Sequence, residues 1–372
     1  MWGDMAVAFL LAFITAYVCT PYTIRFAKKI GALDIPKESR KIHKKPMPRL
    51  GGLAVITGFT VSVIYLLAVM SFEQTINLFG PEQYYIKLIG FFAGLIVLGG
   101  FCFLDDLKSI NPFVKLFGQT LAAIIITSCG VQIDTISVPF FTAVFTEAII
   151  AKLVTIIWIV GITNAINLID GLDGLSSGVS LISCLSLLII FTLNGSPLIS
   201  ILLVLALAGS ILGFLPYNFN PAKTFLGDTG SNFLGYTLSI ISILGMAKTY
   251  TAIVIIAPLI VFALPLLDTT LAIIRRIIKT KSLKGVFKAD KEHLHHQLLK
   301  HFSKKSSLLV IYAINILFSA TTIFYVLGNK KTVICCYVVL MFIVLFLILK
   351  TDIVFDWTSK KNKKNNRGEE NK

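Results

Sequence analysis

The sequence is poor in charged residues, and this deficit excludes most classes of soluble protein. Asp, Glu, Lys and Arg make up 14% of the 372 residues, whereas soluble domains carry about 25%. Hydrophobic residues account for 56%, and the mean hydropathy is +0.83. Apolar windows of about 20 residues, long enough to cross about 30 Å of hydrocarbon, recur along the chain. The composition therefore predicts an all-α, polytopic membrane protein.

Cysteine and acidic residues are also scarce. The six cysteines lie in or at the ends of apolar windows and form no C-x-x-C pair, so neither a disulfide framework nor a zinc site is indicated. The 19 acidic residues are outnumbered by 34 Lys and Arg, which gives a net charge of +15. Because the basic residues cluster between apolar windows, they indicate topology and attraction to anionic headgroups, and no nucleic-acid partner is expected.

Eleven membrane spans are predicted, and the basic clusters orient them. Lys and Arg collect at 25–49, 275–305 and 350–372, all on one side if eleven spans exist. The positive-inside rule then places the N-terminus outside and the C-terminus in the cytoplasm. We predict one transmembrane catalytic domain over 1–350 and a basic, disordered cytoplasmic tail over 351–372. The predicted spans are 5–23, 50–71, 85–104, 116–133, 148–169, 175–194, 198–215, 230–247, 250–272, 308–327 and 331–350.

Carboxylates and amides occur at the predicted cytoplasmic ends of several spans, where charge is costly unless it serves a site. Asp105 and Asp106 end the third span, the segment NAINLIDGLDG at 164–174 ends the fifth, and Asp228 lies just before the eighth. Oxygen ligands without thiols suit a hard cation, Mg²⁺ or Mn²⁺, whose shell substrate phosphates would complete. We therefore expect a metal-dependent site that binds a diphosphate.

The NAINLIDGLDG segment carries a polar residue at every third position. Asn164, Asn167 and Asp170 fall within roughly 120° of one helical face. The two glycines that follow predict the end of the helix, which would leave Asp173 on a loop. The segment is thus expected to be a polar stripe that runs into a glycine-rich loop.

Basic residues and histidines also occur on the predicted cytoplasmic side of the membrane. Lys44, Arg49, Lys108 and Lys115 are placed to neutralise phosphates. Four of the five histidines occur within 293–301. A zinc site there would lack thiols and an H-x₃-H spacing, so imidazoles that contact phosphate or sugar oxygens are the better interpretation.

Five motifs, in order, resemble those of the polyprenyl-phosphate N-acetylhexosamine-1-phosphate transferases (glycosyltransferase family 4). They are HKKPMPRLGG, FLDDLKS, NAINLIDGLDGL, NFNPAKTFLGDTGS and DKEHLHHQLL, and the resemblance covers nearly the whole chain. It implies an enzyme of the bacterial cell (inner) membrane whose active site faces the cytoplasm. There, UDP-N-acetylhexosamine would give its sugar 1-phosphate to undecaprenyl phosphate and release UMP. Such chemistry depends on positioning and charge neutralisation.

The resemblance also implies roles for individual residues. Asn167 and Asp228 match the family's Mg²⁺ ligands. The catalytic positions that it implies are Asp105, Asp106 and Asp170. Asp173, Asn218 and Phe225 match the uridine pocket. The full set of implied substrate-binding positions is Lys44, Lys115, Asp173, Asn218, Phe225, His293, His295 and His296.

Three questions stay open at this point. Leu294 interrupts the histidines as HLHH, which resembles the UDP-GlcNAc branch, undecaprenyl-phosphate N-acetylglucosaminyl 1-phosphate transferase; phospho-MurNAc-pentapeptide transfer is the alternative. The product would start a cell-envelope polymer, teichoic acid or another surface polysaccharide. A secondary transporter or flippase also suits many spans with buried carboxylates, although these groups gather at one face and not at the midplane. A homodimer is a further expectation.

Overall fold

A computed structural model describes most of the chain, and its regular structure is largely helical. The described residues are 2–36, 45–73, 83–138, 141–145, 147–246, 256–280 and 293–327, with single positions between 335 and 342. Two short antiparallel hairpins join helices: β1 Leu33–Asp34 with β2 Met47–Pro48, and β3 Thr135–Val138 with β4 Phe141–Val144. The helices are α1 Trp2–Ile30, α2 Gly51–Phe72, α3 Tyr84–Lys108, α4 Pro112–Ser128, α5 Ala148–Leu168, α6 Leu175–Leu193, α7 Leu198–Asn218, α8 Gly227–Met246, α9 Ile256–Val261, α10 Ala263–Thr280, α11 Leu294–His301 and α12 Lys304–Val326.

Among the described helices, seven are long and apolar enough to cross a membrane: α1, α2, α3, α5, α6, α7 and α12. The apolar α4 is shorter, with 17 residues. The chain is thus a multi-pass helical membrane protein. Ten of the eleven predicted spans overlap described helices. The predicted span at 331–350 lies mostly outside the described residues, as does the tail at 351–372, so the count of eleven and the orientation stay predictions.

The ninth predicted span, 250–272, is not a single continuous helix in the structure. The structure breaks the helix at Phe262, between α9 and α10, and α10 continues to Thr280. Pro265 has no N–H to bond the carbonyl of Val261, and its ring crowds that carbonyl. The proline therefore explains the interruption.

The central helix of the bundle is α8. Every residue from Thr229 to Gly245 is buried, and α8 packs against α2, α3, α5, α6 and α7. At the crossing with α2, a Cβ on Gly230 would lie 2.6 Å from the Cα of Gly52. Small residues let helix backbones approach this closely, so the position and tilt of α8 depend on this pair.

The packing brings four helix ends together. The pairs α3 and α4, α4 and α5, and α5 and α8 are in contact. As a result the C-terminal turns of α3 and α5 meet the N-terminal turns of α4 and α8. Backbone hydrogen bonds from Phe225 N to Pro48 O (2.8 Å) and from Gly51 N to Phe225 O (3.0 Å) add the segment before α2 to the same end. This end of the bundle carries the predicted site.

Candidate active site

Three oxygen atoms from three helices surround the ammonium group of Lys115. Asp105 Oδ2 lies 3.2 Å from Lys115 Nζ, Asn167 Oδ1 accepts from it at 3.1 Å, and Asp228 Oδ1 also accepts from it. The guanidinium of Arg49 donates to the other oxygen of Asp228 at 3.0 Å. We call these five residues the charged centre. The predicted metal ligands and one predicted catalytic carboxylate are therefore neighbours.

Local structure fixes each member of the charged centre. Asp105 lies in the last turn of α3, and its Oδ1 accepts the N–H of Ile110 at 2.8 Å, which holds the turn into α4. Asn111 caps α4 by accepting the N–H of Phe113 at 2.9 Å, with Pro112 as the first helical residue. This combination of cap and proline is a favourable helix start. It sets the direction of the first turn of α4, which carries Lys115.

Asp106 lies behind the charged centre and caps α8. Its carboxylate accepts the N–H groups of Asp228 (2.8 Å) and Thr229 (2.9 Å) and the hydroxyl of Thr229 (2.7 Å). Free N–H groups at a helix N-terminus favour a negative charge. The sequence placed Asp228 before α8, but the structure places it in the first turn, where Asp106 holds its backbone. The geometry thus favours a positioning role for Asp106.

Glycine is needed just before Asp228. Gly227 has a φ of +76°, and a Cβ there would collide with the carbonyl oxygen of Arg49 and lie 2.8 Å from Asp106 Oδ2. A side chain would therefore be strained and would also push Arg49 and Asp106 away from α8. The glycine of the FLGDTGS motif is explained by this close approach.

A layer of amides lies one turn deeper in the membrane domain. Asn164 donates to Gln119 Oε1 at 2.6 Å, Gln119 donates to Asn232 Oδ1 at 2.7 Å, and Asn232 donates to the carbonyl of Asp228 at 2.7 Å. We call Gln119, Asn164 and Asn232 the amide layer. The expectation that Asn164 shares a face with Asn167 fits this position. Gln119 and Asn232 were missed, although each follows a charged-centre residue by four positions, the spacing of one helical turn.

The glycine-rich loop, residues 169–174 between α5 and α6, begins earlier than expected. The helix α5 ends at Leu168, and the N–H of Asp170 bonds the carbonyl of Asn167 at 3.2 Å in a turn. Asp170 therefore does not continue the helical stripe, because the backbone leaves the helix two residues before it. Among the described residues no hydrogen-bond partner of its carboxyl is found. Desolvation raises the pKa of Asp170 to about 8, and the nearby Asp228 and Asp106 add to the rise.

Asp173 and Asn218 hold two loops together. Asp173 Oδ2 accepts from the side chain of Asn220 at 2.9 Å and from the N–H of Ala222 at 3.2 Å. Asn218 is buried, accepts from Ser177 Oγ at 2.8 Å and donates to the carbonyl of Thr224 at 3.1 Å. Both residues therefore shape the loops on either side of the predicted uridine pocket.

Phe225 and the histidines lie at the edges of this region. The side chain of Phe225 is partly buried at the entry to α8. His293 is buried against α10, with Nδ1 3.0 Å from Asp268 Oδ2, and is not a member of the charged centre. His296 lies on α11 and is partly buried. Lys44 and the side chain of His295 lie outside the described residues.

The charged centre fits a hard cation by its donor set. Carboxylate and amide oxygens are what Mg²⁺ and Mn²⁺ prefer, and here three of them already surround one positive charge, the Lys115 ammonium. Within the described part of the chain, no group of three or more His, Cys, Asp and Glu side chains is arranged for a metal. A cation at Asn167 and Asp228 would therefore share its shell with other oxygens.

These features define a class, a multi-pass membrane protein with an oxygen-rich, cation-balanced site at one end of its helix bundle. Residues 88–246 match the family model Glycosyl transferase family 4. This segment contains Asp105, Lys115, Asn167 and Asp228 of the charged centre. Together with the similarities below, the match shows that the chain belongs to glycosyl transferase family 4, so it is a transferase.

Curated relatives are similar over most of their length. The chain is 41% identical over 320 residues, 86% of it and 84% of the relative, to a probable undecaprenyl-phosphate N-acetylglucosaminyl 1-phosphate transferase of Bacillus subtilis. It is 31% identical to an undecaprenyl-phosphate alpha-N-acetylglucosaminyl 1-phosphate transferase of Thermotoga maritima, over 82% of the chain and 86% of the relative. It is 30% identical to a phospho-N-acetylmuramoyl-pentapeptide-transferase of Anoxybacillus flavithermus, over 84% of the chain and 95% of the relative. The predicted family is confirmed, and the transporter alternative loses its support.

Proposed function

We propose that the protein transfers N-acetylglucosamine 1-phosphate from UDP-GlcNAc to undecaprenyl phosphate, forming undecaprenyl-diphospho-GlcNAc and UMP. The observation that carries the proposal is the convergence of Asp105, Asn167 and Asp228 on Lys115 beside Arg49. The similarity to the Bacillus subtilis relative supports the choice of donor and acceptor. The product would initiate a cell-envelope polymer, with teichoic acid as the expected one.

Charge balance supports a divalent cation in this reaction. Among the described side chains, the carboxylates of Asp105, Asp106 and Asp228 outnumber the two cations of Lys115 and Arg49. A nucleoside diphosphate would bring further negative charge into a partly desolvated site, where like charges repel strongly. We propose that Asn167 and Asp228 hold Mg²⁺, or Mn²⁺, with phosphate oxygens completing the shell. When bound, the ion would neutralise the diphosphate and polarise a phosphoryl oxygen.

The side chains of the charged centre position the reacting phosphates. Lys115 and Arg49 reach Asp228 from different sides, so their N–H groups are placed to bind phosphate oxygens that enter between them. Asp105 orients Lys115, and Asp106 orients the backbone of Asp228. An oxygen of the lipid phosphate attacks the sugar-bearing phosphorus, and the bond to UMP breaks.

No side chain is required to activate the lipid phosphate. The second pKa of a phosphate monoester is about 6, so the nucleophile is largely dianionic at pH 7. Asp105 and Asp170 thus have no obligatory proton to remove. The proposed contribution of Asp105 to catalysis is electrostatic, through Lys115. With a pKa of about 8, Asp170 is largely neutral at pH 7, so its proposed contribution is to the shape of the glycine-rich loop.

The location of the site is also a proposal. All the helix ends that form the charged centre lie at one end of the bundle, and the positive-inside rule assigns that end to the cytoplasm. A charged nucleotide sugar would arrive from the cytoplasm, and the lipid would arrive from the inner leaflet. We propose that residues 1–350 form a single membrane domain for this purpose.

Release of UMP by the purified full-length protein tests the proposal. UMP should form from UDP-GlcNAc only when undecaprenyl phosphate and Mg²⁺ are both present. UMP formation that is independent of the lipid would refute it. Removing the metal with EDTA should stop the reaction, and Mg²⁺ or Mn²⁺ should restore it.

A second candidate donor is UDP-MurNAc-pentapeptide. The 30% identity to the Anoxybacillus flavithermus relative favours considering it. Both donors should be offered to the same enzyme preparation, with kcat/KM measured for each. A higher kcat/KM for UDP-MurNAc-pentapeptide would replace the proposed donor and leave the proposed chemistry intact.

A further inference from the structure

A second buried polar cluster lies outside the charged centre, where α11 starts against α10. Asp268 of α10 uses both carboxylate oxygens there. Oδ1 accepts the N–H of Leu294 at 2.8 Å, and Oδ2 lies 3.0 Å from His293 Nδ1. Asp268 and His293 are both buried. A single carboxylate therefore fixes the first residue of α11 and the residue that precedes it.

The contacts of His293 determine its tautomer. Its Nε2 lies 3.3 Å from Nη2 of Arg276. A guanidinium only donates, so Nε2 must accept and the proton must reside on Nδ1. That proton is donated to Asp268. The imidazole thus links the carboxylate to Arg276 and has both ring nitrogens occupied, so His293 is not placed to contact a substrate directly.

The cluster adjoins the glycine-rich loop. Asp268 and Leu294 line the same crevice as Ile169 and Leu175, which flank that loop, and Ile311 of α12. The α12 helix is tied to the loop as well, because the hydroxyl of Tyr312 donates to the carbonyl of Gly174 at 2.6 Å. The position of α11 is therefore coupled to the loop that carries Asp170 and Asp173.

We propose that Asp268 is a positioning residue that docks the HLHH segment onto α10, beside the glycine-rich loop, through His293. The carboxylate starts α11, selects the Nδ1–H tautomer of His293 and, through that ring, orients Arg276. The role deepens the proposed function, on which it rests, because the loop carries Asp173 of the predicted uridine pocket. The donor nucleotide sugar, and not the lipid acceptor, is thus the substrate whose binding depends on Asp268.

Isosteric variants separate positioning from general stability. Asp268→Asn keeps the shape but presents N–H groups where His293 or Leu294 must donate. His293→Asn keeps an N–H at the place of Nδ1 and should preserve the link to Asp268, whereas His293→Ala removes it. Thr269→Val is the matched control, because Thr269 is the buried neighbour on α10 and its hydroxyl has no hydrogen-bond partner among the described residues.

Steady-state kinetics on the full-length protein should show a split between substrates. For Asp268→Asn and His293→Ala we expect the KM for UDP-GlcNAc to rise at least about tenfold, with kcat and the KM for undecaprenyl phosphate within about threefold. His293→Asn should recover most of the donor affinity. The KM for UDP-GlcNAc of the double variant Asp268→Asn/His293→Ala should not exceed that of the more impaired single variant. A donor KM for Asp268→Asn equal to that of Thr269→Val, or an equal rise in both KM values, would overturn the proposal.

Hydrogen–deuterium exchange provides a measurement that does not need activity. Backbone amides of 294–301 should exchange faster in Asp268→Asn than in Thr269→Val, because the single amide oxygen cannot accept from both Leu294 and His293 and the start of α11 is held less firmly. Unchanged exchange would refute the docking role. If the wild-type protein released no UMP, the proposed function would fail, and the exchange result would still decide the role of Asp268.

Discussion

The charged centre and the amide layer share three helices, on which they lie one turn apart, and they differ in charge and exposure. The charged centre has Lys115 on α4, Asn167 on α5 and Asp228 on α8. One turn deeper, the same helices carry Gln119, Asn164 and Asn232 of the amide layer. The side chains of Lys115 and Asp228 are 15% and 18% exposed, whereas Gln119 and Asn232 are 2% and 0% exposed. Asn164 is partly buried, so the step from charged to neutral groups coincides with the loss of solvent at Gln119 and Asn232.

The difference shows how one set of helices can serve two purposes. Amides in the apolar interior donate to one another, so each desolvated group finds a partner and the layer specifies how α4, α5 and α8 are rotated. Charges at the helix ends retain some solvent, so phosphates can reach them. We expect changes in the charged centre to alter catalysis and changes in the amide layer to alter stability.

The largest effect is expected for Asp228→Asn. The substitution keeps size but removes the charge that Lys115 and Arg49 share, together with a proposed metal ligand. We expect kcat/KM for UMP release to fall about 10³-fold, the scale of losing one principal electrostatic contact, and the Mg²⁺ requirement to rise. Thr237→Val, an isosteric change at a buried position of the same helix, is the control. Normal Mg²⁺ affinity in Asp228→Asn would show that the metal assignment is wrong.

Asn167→Ala should act on the metal requirement more than on stability. Asn167 presents its oxygen to Lys115 and donates to Asp228 at 2.9 Å. We expect the Mg²⁺ concentration for half-maximal activity to rise by about tenfold or more, as for lost metal-site partners. The comparison variant is Asn164→Ala in the amide layer, for which the Mg²⁺ titration should match the wild type. Equal shifts in both variants would remove the functional distinction between the two layers.

Asp106→Asn tests the cap of α8 and should have an intermediate effect. An amide accepts fewer of the three donors that Asp106 now holds, so α8 loses part of its N-terminal cap, worth about 1 kcal/mol. Activity should fall about tenfold to 100-fold because Asp228 shifts with its backbone. Thr229→Val, which removes one donor only, should have a smaller effect on both quantities. A full loss of activity with unchanged thermal stability would instead favour direct catalysis by Asp106.

Gln119→Leu should affect stability and leave catalysis nearly intact. It removes the partner of Asn164 and Asn232 in the apolar interior, and each buried unsatisfied amide costs about 1–3 kcal/mol. We expect a lower melting temperature in detergent and a kcat/KM within about threefold of the wild type. A large loss of activity at unchanged stability would show that the amide layer contributes to catalysis as the charged centre does.

The smallest effect concerns pH and Asp170. Its ordinary pKa of 3.8 is raised to about 8 in the folded protein, so between these values the folded state holds a proton that the unfolded state has lost. The contribution of Asp170 to the free energy of unfolding therefore falls as the pH rises through that window. In metal-free buffer, the melting temperature of Asp170→Asn should depend less on pH between 5 and 8 than that of the wild type. Parallel curves would contradict the shift.

Much of the charged centre could be predicted from the sequence, because its members belong to recognisable motifs. The resemblance predicts Asn167 and Asp228 as a pair of metal ligands, and in the structure they are hydrogen-bonded neighbours. The sequence predicts Arg49 only as one of several basic residues near the site, and nothing in its local sequence distinguishes it from Lys108. Its contact with Asp228 spans 179 positions and depends on hydrogen bonds that join the segment before α2 to the loop before α8.

The roles of Asn218 and His293 needed the structure for a similar reason. The sequence predicts both as substrate contacts, and in the structure their polar atoms contact protein groups, which are Ser177 and Thr224 for Asn218 and Asp268 and Arg276 for His293. Whether a buried polar side chain faces a ligand or a neighbour depends on what packs against it. A motif specifies the side chain without specifying this neighbour.

The sequence by itself determined that this is a helical membrane protein of glycosyl transferase family 4, because hydropathy and motif order are properties of local segments. Only the tertiary structure decided what adjacent residues do. Asp105 and Asp106 are consecutive, but successive side chains on a helix point about 100° apart. One therefore reaches Lys115 and the other reaches the start of α8. Their separate roles follow from the rotation of α3 against two different neighbours, and that rotation arises from packing along the whole length of the helices.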